Sequence, residues 1–170
     1  GPRLGEIAPL VSNWFLPSNW LGLAVIWTLL KVLHEAGHAA SAAKAGAPPR
    51  EAGITLLYFA PLAYVDLSAT WRLSSRTARI ITALAGVYVE LLVAAVALLA
   101  WSFTTNPVAH WWLANIVLLS GVNTLLFNLN PLARLDGYFV VADLCDEPNL
   151  GPRGRADLHR RLLRVLFGPH

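Results

Sequence analysis

The chain has 170 residues, of which 56% are apolar and only 14% charged, with a formal net charge of +3. Soluble domains carry roughly a quarter charged residues, so this composition excludes an ordinary water-soluble globule and points to a membrane protein. The small basic excess reads as a topology signal and not as a nucleic-acid-binding surface, and the single cysteine, Cys145, excludes an intrachain disulfide.

Residues 1–17 hold Pro2, Pro9 and Pro17 and read as a loop or interfacial segment; the Gly-Pro start and the lack of methionine point to a processed or excised piece of a longer product. Ser18 is a candidate N-cap for a first span over 18–45, which stops near Gly46. Such a helix has about 28 residues and runs about 42 Å, longer than a hydrocarbon core of roughly 30 Å. Residues 47–71 are rich in aromatic and β-branched side chains and are interrupted by Pro61, which predicts a short β-hairpin or a re-entrant segment. Ser74 or Ser75 can cap a second span over 75–103, and TTNPVAH links it to a third over 110–130. The third span breaks at Asn128–Pro131 and is followed by a loop and short helix over 131–145. Residues 154–167 alternate leucine with arginine and predict a basic surface helix. The fold class is therefore an all-α polytopic membrane protein, a single membrane-embedded domain with a three-span core.

Charge placement gives an orientation. The connection between the first two spans carries Lys44, Arg50, Arg72, Arg76 and Arg79, and the next connection carries none. The positive-inside rule puts the first connection and the basic C-terminus in the cytoplasm, with Trp20, Trp101, Trp111 and Trp112 at the outer interface and Trp71 at the inner one. The lipid bilayer is the expected solvent, and the arginine- and alanine-rich usage points to a bacterial cytoplasmic membrane.

The chemistry starts at His34-Glu35-Ala36-Gly37-His38. Residues i and i+4 of a helix share a face, so His34 and His38 can present two imidazoles to one Zn²⁺ ion. Glu35 stands on the shoulder of that face, placed to act as general base on a water beside the metal. The plainer alternative is a chance pentapeptide with two satisfied buried histidines, set against the cost of such residues in an apolar span. A catalytic zinc needs a third protein ligand and an open position.

The second motif is Asn128-Leu-Asn-Pro131-Leu-Ala-Arg-Leu135-Asp136-Gly137. Together the two motifs resemble the site-2 protease family of intramembrane metalloproteases, which pairs HExxH with N-x-x-P-x-x-x-L-D-G on a later span. The resemblance covers roughly residues 18–145. It implies that Asp136 is the third zinc ligand, against the alternative of an aspartate capping the short helix. It also implies zinc-assisted hydrolysis of peptide bonds in membrane-anchored proteins or peptides, in or near the bilayer, with the active site towards the cytoplasmic side. The segments FAPLAYVDLS and LDGYFVVADL look like relatives described as putative peptide zinc metalloproteases, so maturation or export of a small peptide is a second reading. A third is a non-catalytic zinc-containing membrane module that binds a partner.

The family's G-P-x-x-N is degraded here to Gly86-Val-Tyr-Val-Glu90. Glu90 is open to several roles: binding substrate backbone, pairing with Lys31, accepting a hydrogen bond from a ligating histidine, or standing as a protonated structural carboxyl. Lys31 precedes Glu35 by one helical turn and either tunes it, snorkels or forms a cavity ion pair. Asn128 is a candidate for substrate or oxyanion binding, or for satisfying backbone at the helix break. Asp66 and Asp143 read as capping or solvated carboxylates, and His110, His159 and His170 as exposed. Segment 53–66 is a candidate to hold an unwound substrate by strand addition.

Overall fold

The computed structural model describes residues 16–57, 60–146 and 154. After a 3-10 turn over Pro17–Asn19, helix α1 spans Trp20–Lys44. Ser18 lies inside that turn and is not the N-cap; Asn19 holds the N-cap position, without a side-chain bond that caps the helix. The other end closes on Gly46 in the left-handed region, with Gly46 N–H donating to Ala43 O (3.1 Å) and Ala47 N–H to Ala42 O (2.9 Å). That 6→1, 5→2 pair is a Schellman stop, and Pro48 and Pro49 follow where the helix cannot resume.

Strands β1 (Ala52–Leu57) and β2 (Ala60–Val65) form a two-stranded antiparallel sheet in which Ala52 faces Val65 and Leu57 faces Ala60. The expected strand pair is therefore present. Pro61 does not split the segment but sits within β2 opposite Leu56. β2 packs on α1, so β1 is the outer strand. A 3-10 turn over Ser68–Arg72 leads to helix α2 (Arg76–Phe103), whose N-cap Ser75 accepts from Ala78 N–H at 3.2 Å.

Helix α3 covers Pro107–Val122 and begins before the expected residue 110. Asn106 Oδ1 accepts from Val108 N–H and Ala109 N–H, and Pro107 takes the first helical position, where its missing N–H is no loss. The helix then widens into a π-turn over Asn123–Asn128, closed by Leu129 N–H donating to Thr124 O at 2.9 Å. Departure from regular α geometry thus begins ahead of the expected break at Asn128–Pro131. Helix α4 (Asp136–Leu144) completes the described core. The expected basic helix over 154–167, Gly154 apart, and most of the 1–17 segment lie outside the described residues.

Three helical stretches, Pro17–Lys44, Arg76–Phe103 and Pro107–Asn128, are long and apolar enough to cross a membrane. Their polarity is inverted relative to a soluble bundle. His34, His38, Thr82, Glu90, Asn115, Thr124 and Asn128 are buried between helices, while Leu21, Leu29, Leu92, Leu99 and Phe103 face outwards. A surface of that kind suits an apolar solvent, with polar groups satisfied inside. α1 and α2 approach closely because Gly37 has no side chain: a Cβ there would stand 2.9 Å from Ala85 O.

Candidate metal centre

The face shared by His34 and His38 turns into the bundle, leaving the two residues 3% and 2% exposed. Each imidazole is fixed from behind. His38 Nδ1 lies 2.7 Å from the carbonyl oxygen of Thr82 on α2. A carbonyl can only accept, so this nitrogen carries the proton. His34 Nδ1 lies 3.2 Å from Glu90 Oε1. Both histidines therefore hold the tautomer with the Nε2 lone pair free, the form that ligates a metal.

The two Nε2 atoms are 3.0 Å apart, and Asp136 joins them, with Oδ2 at 3.0 Å from His34 Nε2 and Oδ1 at 3.4 Å from His38 Nε2. Three electron-pair donors thus converge without a proton of their own to share. With the histidines in that tautomer, the buried Asp136 Oδ2 has no hydrogen bond. Such a group needs a cation. Four-coordinate zinc with bonds of roughly 2.0–2.2 Å separates its ligand atoms by about 3.3 Å, close to the spacings found here. His34, His38 and Asp136 could therefore hold a metal ion together.

Two glycines make the convergence possible. A Cβ on Gly86 would stand 2.5 Å from His38 Nε2 and 2.6 Å from His34 Nε2, so the bare α2 backbone forms the floor of the centre. A Cβ on Gly137 would stand 2.5 Å from the backbone of Leu129, so its absence lets α4 dock against the chain leaving the π-turn. Asp136 occupies the first turn of α4 but caps nothing; the N-cap is Leu135, without a side-chain bond. Burial alone would raise the Asp136 carboxyl; where the two Nε2 atoms carry protons in place of a metal, hydrogen bonds and charge from His34 and His38 outweigh it and hold it at about 2.

Glu90 is 0% exposed and is ringed by donors. Asn123 Nδ2 donates to Oε1 at 2.6 Å, Thr124 Oγ1 to Oε2 at 2.6 Å, and Asn128 Nδ2 to Oε2 at 3.1 Å. Lys31 Nζ lies 3.8 Å from Oε1. Every neighbour gives a hydrogen, so this setting accommodates the carboxylate form of Glu90 rather than the protonated one. The π-turn brings Asn123, Thr124 and Asn128 together on it. Asn128 thus reaches Glu90, with its Nδ2 also 3.4 Å from His34 Nδ1, and Lys31 pairs with Glu90 inside the bundle.

A cavity of ≈ 430 Å³ abuts the centre, its lining including Glu35, His38 and Asp136 together with Val65, Trp71 and Phe139. Glu35 is half-buried there. Asp143 also lines the cavity, tied to Arg79 Nε at 2.6 Å. Asp66 lies apart, accepting from Ser68 N–H and Oγ, bonds that hold its carboxyl below the usual range. His110 is half-buried against Trp101, ring centroids 4.7 Å apart, and is not freely exposed as expected. His159 and His170 lie outside the described residues.

Comparison of the chain with protein-family models, with curated proteins and with solved structures finds no match. The centre is therefore read from its own chemistry. Thr82, Asn123 and Thr124 were not singled out from sequence; the available signal was their polarity within apolar helices, which is costly unless each has a partner.

Proposed function

We propose that the chain is a zinc-dependent intramembrane endopeptidase that hydrolyses peptide bonds of membrane-anchored proteins or peptides in or near the bilayer. The observation that carries this reading is the meeting of two imidazole lone pairs and one carboxylate beside a cavity that Glu35 also lines. The pairing of HExxH with N-x-x-P-x-x-x-L-D-G, which resembles site-2 proteases, supports the same reading. A two-histidine, one-carboxylate set suits catalytic zinc, because it leaves a fourth position open.

When bound, the metal supplies Lewis acidity towards water and a peptide carbonyl. Glu35 takes the proton from the attacking water and returns it to the leaving nitrogen. Glu90 and the Thr82 carbonyl hold the two imidazoles in ligating orientation. Asp136 adds the negative charge that favours a divalent ion. Because a helical substrate hides its carbonyls, it must unwind to be cut. The outer edge of β1, which has no partner strand among the described residues, offers hydrogen bonds to such an extended segment. The basic residues between the first two spans support an orientation with this end of the bundle towards the cytoplasm, in keeping with a bacterial cytoplasmic membrane. The size of the cavity, within the roughly 300–1,000 Å³ of small-ligand pockets, also favours a short peptide as substrate, in keeping with a maturation role.

The test is cleavage of a single-span peptide by the zinc-loaded protein in lipid nanodiscs, with Glu35→Gln as comparison. The expected result is a loss of rate of about 100-fold or more with zinc content retained. Equal cleavage by both proteins would end the protease reading. Stoichiometric zinc without any cleavage would favour a binding module.

A further inference from the structure

The cavity beside the centre carries more charge than hydrolysis requires. Its wall includes Glu35, Asp136, Asp143, Arg79 and Arg134. Arg79 and Asp143 neutralise one another at 2.6 Å, and Arg79 is further held by the Leu73 carbonyl at 2.7 Å. Glu35 and Asp136 lie at the centre, where a bound divalent cation would offset both. Arg134 is left over. Among the described residues no carboxylate lies within ion-pair distance of it. It is exposed, and stands two residues before Asp136 on the loop that delivers this carboxylate.

An arginine fork is matched in shape to a carboxylate, which it can hold by two parallel N–H···O bonds. The same cavity is also lined by Leu67, Trp71, Leu135 and Phe139, apolar surface for a bulky side chain. Trp71 and Phe139 meet edge to face with centroids 6.0 Å apart, which gives that surface a defined shape. With a cation in the centre, the cavity would therefore combine apolar surface with a single unanswered positive charge close to Asp136. A neutral transmembrane segment would leave the arginine unanswered.

We propose that Arg134 anchors a carboxylate of the substrate, so that the cavity selects peptides with an acidic side chain or a free C-terminus close to the bond to be cut. The inference rests on the peptidase reading for its meaning but concerns binding, and is tested without turnover. Arg134 acts here as a binding residue and takes no part in proton transfer.

The experiment uses zinc-loaded Glu35→Gln protein in nanodiscs of neutral lipid, with Arg134 intact or replaced by Gln, Lys or Glu. The probes are fluorescent leucine- and alanine-rich decapeptides bearing Glu or Gln at one central position, each with a free or an amidated C-terminus. With Arg134 intact, one carboxylate-bearing form binds about tenfold more tightly than the fully neutral peptide. A preference for Glu over Gln identifies a side-chain carboxylate, and a preference for free over amidated ends identifies the C-terminus. Arg134→Gln removes that preference, Arg134→Lys restores part of it, and Arg134→Glu reverses it in favour of the fully neutral peptide. Equal affinity for all four peptides with Arg134 intact would overturn the proposal. So would an Arg134→Gln effect that appeared only in nanodiscs of anionic lipid, since that would assign the residue to headgroups. Carboxylate-selective binding by a protein that never cuts would sink the protease reading and leave the anchor standing.

Discussion

Glu90 Oε1 lies 3.2 Å from His34 Nδ1, at the convergence of hydrogen bonds from three residues of the π-turn. This contact sets the tautomer of His34 and aims its other nitrogen at Asp136. Glu90→Gln would replace an acceptor-only group with one that presents N–H to other N–H donors. Partners behind a metal-bound histidine are commonly worth about 10–100-fold in affinity. Zinc affinity measured by competition with a chromogenic chelator is expected to fall by that much, and an unchanged affinity would show that His34 is oriented by something else.

Gly86 permits the centre by having no side chain. Alanine is the better helix former by about 1 kcal/mol, so Gly86→Ala should leave α2 helical. Its methyl would nevertheless meet both Nε2 atoms at 2.5–2.6 Å and push them apart. The expected outcome is native helix content by circular dichroism with zinc stoichiometry falling towards zero. Gly121→Ala on α3, where a Cβ meets nothing within 4 Å, is the matched control and should retain the metal.

Asp136 gives a pH signature in the metal-free protein. Its carboxyl is held at about 2, whereas an unfolded aspartate titrates near 3.9. A depressed carboxylate contributes stability that is fully present above the unfolded value and is lost as pH falls through the folded one. The difference in unfolding free energy between the chelated parent and Asp136→Asn should therefore be roughly 2 kcal/mol near pH 5 and close on acidification towards about pH 2. A gap independent of pH would mean that the histidines do not hold this carboxylate.

Arg79 and Asp143 fasten α4, and with it Asp136, to the start of α2. Both side chains are largely buried, so removing one leaves the other charged and unmatched. Asp143→Ala is expected to destabilise the protein by about 3 kcal/mol and to weaken zinc binding, whereas the double replacement by leucine should cost much less. Thermal unfolding of single and double variants checks this, and equal destabilisation would argue against a buried pair.

The parts of this structure that follow from short-range pattern were legible in the sequence. His34 and His38 fall on one buried face because four residues nearly close a helical turn. Gly46 ends α1 and Ser75 begins α2 for local reasons of backbone conformation and capping. Asn106-Pro107 was an equally local signal, an N-cap before a first-turn proline, and marks where α3 begins. What the pattern hid depends on contact between distant segments. The π-turn is a regular apolar helix by composition, and its reason lies in the Glu90 carboxylate that it wraps. Arg79 looked like a topology charge until Asp143, 64 residues later, stood beside it. Gly86 and Gly137 are unremarkable as letters, and their value is set by what would collide with a Cβ.

X-ray absorption at the zinc edge on the loaded protein, with Asp136→Ala alongside, is the most direct measurement of the centre. The expected spectrum has two imidazole nitrogens and oxygen donors, all at roughly 2.0–2.2 Å. In the variant, zinc is lost or one protein oxygen is replaced by water with weaker binding. A sulfur ligand, a histidine count other than two, or a zinc site indifferent to Asp136→Ala would contradict the convergence of His34, His38 and Asp136 on one ion.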